Sequence, residues 1–172
     1  DASMGREFVA GHVHGAGPFG IEQFQLGIEV NGVAISRLRY VLGMVNGNGP
    51  TTDLNAQKDF YGRLCYKFGG MGYDGTVKNG NVTDLETSIA IGVFGYSGIG
   101  TTNGENYNFF RAGSDVNIYL KKFNIIGGYI LGANGTAAEQ KYDLYYGEVD
   151  YKIYPWLTAL LRYEQANPKR SS

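Results

Sequence analysis

One pattern constrains this chain more than any other: apolar and polar residues alternate with a period of two, in segment after segment. In 21–30, Phe24, Leu26, Ile28 and Val30 fall on one side, and Gln23, Gln25, Gly27 and Glu29 on the other. Successive strand residues point to opposite faces of a sheet, so such a segment is a strand with one apolar and one polar face. Asn31-Gly32 follows and reads as a hairpin turn. The return strand, 34–45, sets Leu38, Tyr40, Leu42 and Met44 against Arg37, Arg39 and Gly43.

The same reading continues along the chain. Strand 58–69 alternates Phe60, Leu64, Tyr66 and Phe68 with Asp59, Arg63, Cys65 and Lys67. Strand 86–95 sets Ile89, Ile91 and Val93 against Ser88, Ala90 and Gly92. Strand 107–120 sets Ala112, Val116, Ile118 and Leu120 against Arg111, Gly113, Asp115 and Asn117. Strands 124–131, 141–153 and 157–164 follow, the last two with Glu148, Asp150, Lys152, Arg162 and Glu164 on their polar faces. A weaker strand is expected over 6–14. The result is about nine strands and no helix, many of them near the ~9–11 residues that span a bilayer at a tilt.

Tight turns at 31–32, 121–123 and 154–156 alternate with polar loops at 46–57, 97–106, 132–140 and from 165 on. That parity suits an outer-membrane barrel, with short periplasmic turns and longer outer loops. The long 70–84 connection breaks it. Aromatics near strand ends (Phe60, Tyr107, Phe109, Phe110, Phe123, Tyr154, Trp156 and Tyr163) are expected to form its girdles. A soluble sandwich or lipocalin-like barrel would also alternate. The charged polar face favours a wet lumen over a lipocalin interior, which would be apolar.

Composition narrows the classes further. Glycine (27) and tyrosine (14) are abundant among 172 residues, while charged residues make up only 18%. The mean hydropathy of -0.23 is too polar for a helical membrane protein. A net charge of -1 supplies no basic field for nucleic acid. The single cysteine, Cys65, forms neither an internal disulfide nor a CxxC motif.

Other motifs are weaker. Gly15 to Gly20 and Gly70 to Gly75 both match G-x-G-x-x-G, but neither leads into an expected helix, and both read as turns. His12 and His14 share a strand face without further ligands, so no metal site is expected. Cys65, between Arg63 and Lys67, has no second cysteine and reads as an incidental small residue. No G-x-S-x-G elbow holds a nucleophile, and no catalytic residue or cofactor is expected. Asn81-Val82-Thr83 and Asn134-Gly135-Thr136 match the glycosylation sequon.

Leu38 to Gly49, with its N-G-N-G ending, resembles a strand-to-loop passage of bacterial outer-membrane porins, in particular the phosphate- and polyphosphate-selective family. Lys58 to Leu64 is similar to the strand that follows there, and Trp156 to Glu164 to the strand after a periplasmic Pro turn. The resemblance implies an antiparallel transmembrane β-barrel in the outer membrane of a Gram-negative-type bacterium. It implies a porin passing small hydrophilic solutes or ions. The partners it implies are outer-membrane lipid, lipopolysaccharide and, as in many such porins, two further copies in a homotrimer. Such barrels have about 16–18 strands. An odd count of about nine, and an ending in what reads as a loop, suggest a segment of a larger barrel. A closed eight-stranded barrel competes with that reading.

The candidate pore-lining set is Arg37, Arg39, Arg63, Lys67, Arg111, Asp115, Glu148, Asp150, Lys152, Arg162 and Glu164. If the basic members share a lumen, they form a ladder that favours anions. If each pairs with Asp59, Asp115, Glu148, Asp150 or Glu164, they set only a local transverse field. Two further classes stay open: a barrel that sheathes a separate multihaem cytochrome, and a soluble β-barrel domain with a binding surface.

Overall fold

The computed structural model describes residues 26–46, 57–77, 87–102, 105–135 and 140–170. The expected strand 6–14, His12, His14, the first glycine motif and Asn81-Val82-Thr83 lie outside them. The described residues form one antiparallel sheet of eight strands in sequential order. These are β1 (Gly27–Ala34), β2 (Leu38–Val45), β3 (Asp59–Gly69), β4 (Thr87–Thr102), β5 (Glu105–Leu120), β6 (Phe123–Asn134), β7 (Gln140–Tyr154) and β8 (Leu157–Arg170). β1 and β8 are not paired with each other, so these strands do not close into a barrel.

The hairpin expected at Asn31-Gly32 is not there. β1 runs through both residues to Ala34, and the chain turns at 35–37. Ile35 and Ser36 take positive φ values of 48° and 61°. A left-handed backbone costs a side-chain-bearing residue about 1–2 kcal/mol. A turn at Asn31-Gly32 would pair Val30 with Val33 and move Arg37 and Arg39 onto the face of Ile28 and Val30. A one-residue slip exchanges every side chain's face. Amphipathicity across eight paired residues of β1 and β2 outweighs a favourable turn dipeptide.

Several strands also outrun their expected ends. β4 and β5 are 16 residues each and extend into the expected loop 97–106, to Thr102 and from Glu105. β8 continues past 164 to Arg170. In these extensions polar residues occupy both faces, so the apolar–polar alternation vanishes while the ladder persists.

Directly opposed residues share a face, and the register divides the sheet cleanly. One face carries Ile28, Val30, Leu42, Phe60, Leu64, Phe68, Ile89, Ile91, Val93, Phe110, Leu120, Leu131, Val149 and Leu161, all large and all exposed. The opposite face holds every described strand side chain that is shut away from solvent: Val41, Asp59, Cys65, Phe94, Tyr96, Arg111, Asp115, Ile130, Asn134, Tyr142 and Tyr146. An ordinary antiparallel sheet buries its apolar face on a core and solvates its polar one. This sheet does the reverse.

Several glycines and tyrosines pair across neighbouring strands. Gly43 opposes Tyr61, Gly128 opposes Tyr146 and Gly132 opposes Tyr142, all on the polar face. A Cβ on Gly132 would sit 2.5 Å from the Tyr142 ring, and one on Gly128 would sit 2.6 Å from the ring of Tyr146. Each ring therefore lies flat across the neighbouring strand. This layer of rings buries much of a face that, among the described residues, has no second sheet or helix against it.

Candidate functional site

The polar face is the candidate site. It brings together ten of the eleven expected residues: Arg39 on β2, Arg63 and Lys67 on β3, Arg111 and Asp115 on β5, Glu148, Asp150 and Lys152 on β7, and Arg162 and Glu164 on β8. Arg37 is the exception, because the displaced turn puts it at the end of the sheet. There its guanidinium donates to the carbonyls of Gly69 at 2.7 Å and Gly70 at 3.1 Å. Arg37 is therefore a clamp on the β3 exit, beside Lys67 at the end of the sheet.

The centre of the face is an ion pair that spans three strands. Arg63 of β3 donates from both terminal nitrogens to the two Asp115 oxygens of β5, at 2.5 and 2.7 Å. Between them lies Gly92 of β4, where any Cβ would come within 2.5 Å of Asp115 and 2.6 Å of Arg63. The missing side chain is what lets the bidentate pair close over β4. Side-chain exposures of 17% for Arg63 and 7% for Asp115 make it a desolvated pair.

Other charges are held in similar ways. Arg111 donates to the carbonyls of Phe110 and Ala133 and to Asn134 Oδ1 at 2.7 Å, and its guanidinium lies 5.0 Å from the Tyr142 ring centre. Asp59 accepts from the Tyr96 hydroxyl at 2.6 Å and the Ile99 amide at 3.2 Å. Asp150 accepts from Asn124. On the exposed edge strand, Arg162 pairs with Glu164 at 2.5 Å and Glu148 at 3.6 Å. The continuous basic ladder is thus broken up, with Arg63 and Arg162 each facing carboxylates.

The segment that broke the loop parity, 70–77, folds over the short-turn end of this face. The Tyr73 amide donates to the Ser36 carbonyl at 2.8 Å. Its hydroxyl reaches Cys65 Sγ at 3.2 Å, and Lys67 Nζ sits 5.5 Å over its ring. Burial pushes the Tyr73 hydroxyl's pKa up, with Cys65 adding to the effect. Gly69, Gly70 and Gly75, with φ of 66°, 59° and 84°, let the chain reverse here. The second glycine motif is therefore a turn, as expected.

Asp74 closes that turn. It accepts from the Thr76 amide at 3.0 Å and the Thr76 hydroxyl at 2.7 Å. Its hydrogen bonds, first to Ser36 and then to Thr76, hold its pKa down at about 2 from the ordinary 3.8. Because the folded value is depressed, this contribution is present above pH 3.8 and is lost as the pH falls through 2. A carbon-13 NMR titration of the Asp74 carboxyl is expected to show a midpoint near 2. A midpoint near 3.8 would mean that the turn is not formed.

The expected girdle is only partly an outward feature. Tyr107 and Phe109 lie on the polar face, opposite Gly100 and Gly98, with their rings close over those glycines. Outward aromatics cluster at the short-turn end, where Phe123 and Tyr151 sit 4.7 Å apart and Tyr154 stacks on Trp156 at 5.6 Å. Among the described residues no group of three or more His, Cys, Asp or Glu side chains is arranged to hold a metal ion.

No protein-family model, curated protein or solved structure matches this chain.

Proposed function

We propose that this sheet is wall of an outer-membrane porin, its apolar face against lipid and its polar face lining a water-filled channel for small hydrophilic solutes and ions. The observation that carries the reading is the inverted amphipathicity: ion-paired Arg63 and Asp115 are largely withdrawn from water on one face while Leu64 and Val93, on the neighbouring strands β3 and β4, are exposed on the other. In water, a contiguous apolar face this extensive is a liability. In a bilayer it is a requirement.

Dimensions agree. On β5 the outward positions from Phe110 to Leu120 carry only one polar residue, Ser114, and Asn108 and Asn106 follow. Ten residue steps at ~3.4 Å make roughly 34 Å of strand, which is about 25 Å tall at a barrel tilt of ~45°. The stagger agrees as well. The cross-strand row through Ala34, the lower end of β1, meets β8 at Tyr163, six residues above the lower end of β8 at Leu157. Sheets that close into barrels are sheared in this way.

Lipid tolerates no open sheet edge, so the free edges of β1 and β8 pair with further strands in the membrane. The porin resemblance of 38–49, 58–64 and 156–164 supports a barrel of larger strand number. Because Arg63 and Arg162 face carboxylates, the wall presents a transverse field more than a one-signed ladder.

Single-channel recording of detergent-purified protein in a planar bilayer under a salt gradient tests the reading. Stable ohmic steps with a small reversal potential are expected. Protein that inserts without conducting would overturn the channel and leave a sheath around a separate partner. Protein that stays in the aqueous phase without detergent would overturn the membrane wall altogether.

A further inference from the structure

The apolar face carries, at its short-turn end, a groove of about 380 Å³ lined by Thr87, Leu120, Lys121, Lys122, Phe123 and Tyr151. Thr87, Leu120, Phe123 and Tyr151 form one cross-strand row on the outward face. Lys121 and Lys122 are the whole turn between β5 and β6, and both are exposed. No acidic residue lines the groove, and among the described residues neither lysine makes an ion pair.

We infer that this groove binds an anionic glycerophospholipid, its phosphate on Lys121 and Lys122 and its acyl chains on the outward face. The inference rests on the membrane-wall reading above. The next row on that face is Ile118, Ile125 and Val149, which continues the groove with aliphatic surface toward the middle of the sheet. Phe123 and Tyr151 supply an aromatic wall at the depth where rings settle between headgroups and tails.

The turn itself argues for a selected charge. Lys121 has a φ of 52°, a backbone that glycine or asparagine adopts at less cost. A chain with 27 glycines places lysine there instead. Strain of this kind persists where the surrounding structure holds it, and it clusters at functional sites. Two ammonium groups at the edge of an apolar surface are the complement of a phosphodiester attached to two hydrocarbon chains.

The test uses the full chain, exchanged from detergent into phosphatidylcholine bilayers with and without phosphatidylglycerol, and two readouts. Native mass spectrometry of the released protein counts retained lipids. Quenching of Trp156, the only tryptophan, by brominated phosphatidylcholine reports insertion. The wild type is expected to retain phosphatidylglycerol over phosphatidylcholine by roughly thirtyfold, from two lysines near the surface. K121Q/K122Q is expected to lose that preference. K58Q/K141Q, with the same charge change at the far end of the sheet, is expected to keep it. Quenched Trp156 without headgroup preference, or equal loss in both double variants, would overturn the lipid site alone. Unquenched Trp156 would overturn the membrane wall and the site with it.

Discussion

Asp115→Ala is expected to lower the unfolding free energy by about 3 kcal/mol, the typical cost of removing one partner from a buried ion pair. The carboxylate it removes is the bidentate acceptor for Arg63, and both side chains are largely withdrawn from water. The pair also fastens β3 to β5 across Gly92, so its loss releases two strand contacts at once. Arg63→Ala/Asp115→Ala is expected to recover much of the loss, since removing both charges leaves no uncompensated ion. Denaturant titrations of the four species make a double-mutant cycle, with a coupling of roughly 0.5–3 kcal/mol for groups in direct contact. Additive losses would show that the pair is not formed. In the channel reading, Asp115→Ala alone also bares a guanidinium on the pore wall, and the reversal potential is expected to move toward anion preference.

The two faces of β3, β5, β7 and β8 were legible in the sequence because Asp59, Arg63 and Lys67, Arg111 and Asp115, Glu148, Asp150 and Lys152, and Arg162 and Glu164 each fall on positions of one parity within their strand. Arg63 and Asp115 were both placed on the polar side from alternation alone. Their partnership was not legible, because it depends on Gly92 of a third strand lying between them. The same holds for the rings over glycines. Tyr61 meets Gly43 and Tyr146 meets Gly128 only once the register is known. Arg37 was misplaced because Asn31-Gly32 is a strong local turn signal, and the preference that overrode it is spread along eight residue pairs. The extended ends of β4, β5 and β8 were missed for a different reason. Asn106, Asn108, Gln165 and Asn167 lie beyond the apolar stretch, where an outward strand residue has no need to be hydrophobic. The fold of 70–77 over the sheet end was likewise hidden, since Tyr73 bonds to Ser36 of another hairpin.

Val93→Arg separates a lipid-facing sheet from a soluble one more sharply than any substitution on the polar face. Val93 is in mid-strand on β4, flanked on its face by Leu64 and Ser114, and is 53% exposed. If water covered it, arginine there would change stability by no more than about 0.5 kcal/mol, as at most surface positions. Against hydrocarbon near the bilayer midplane, the same change costs about 2–4 kcal/mol. Asn108→Arg is the control. It is outward-facing on β5 but beyond Phe110, where the apolar stretch ends, and its expected cost is about 0–1 kcal/mol. Reversible unfolding of both variants from phospholipid vesicles measures the two costs on one scale. A large penalty at Val93 with a small one at Asn108 places the boundary of the lipid band between them. Equal and negligible penalties would mean that the apolar face is covered by something other than lipid, and the porin reading would fall with them.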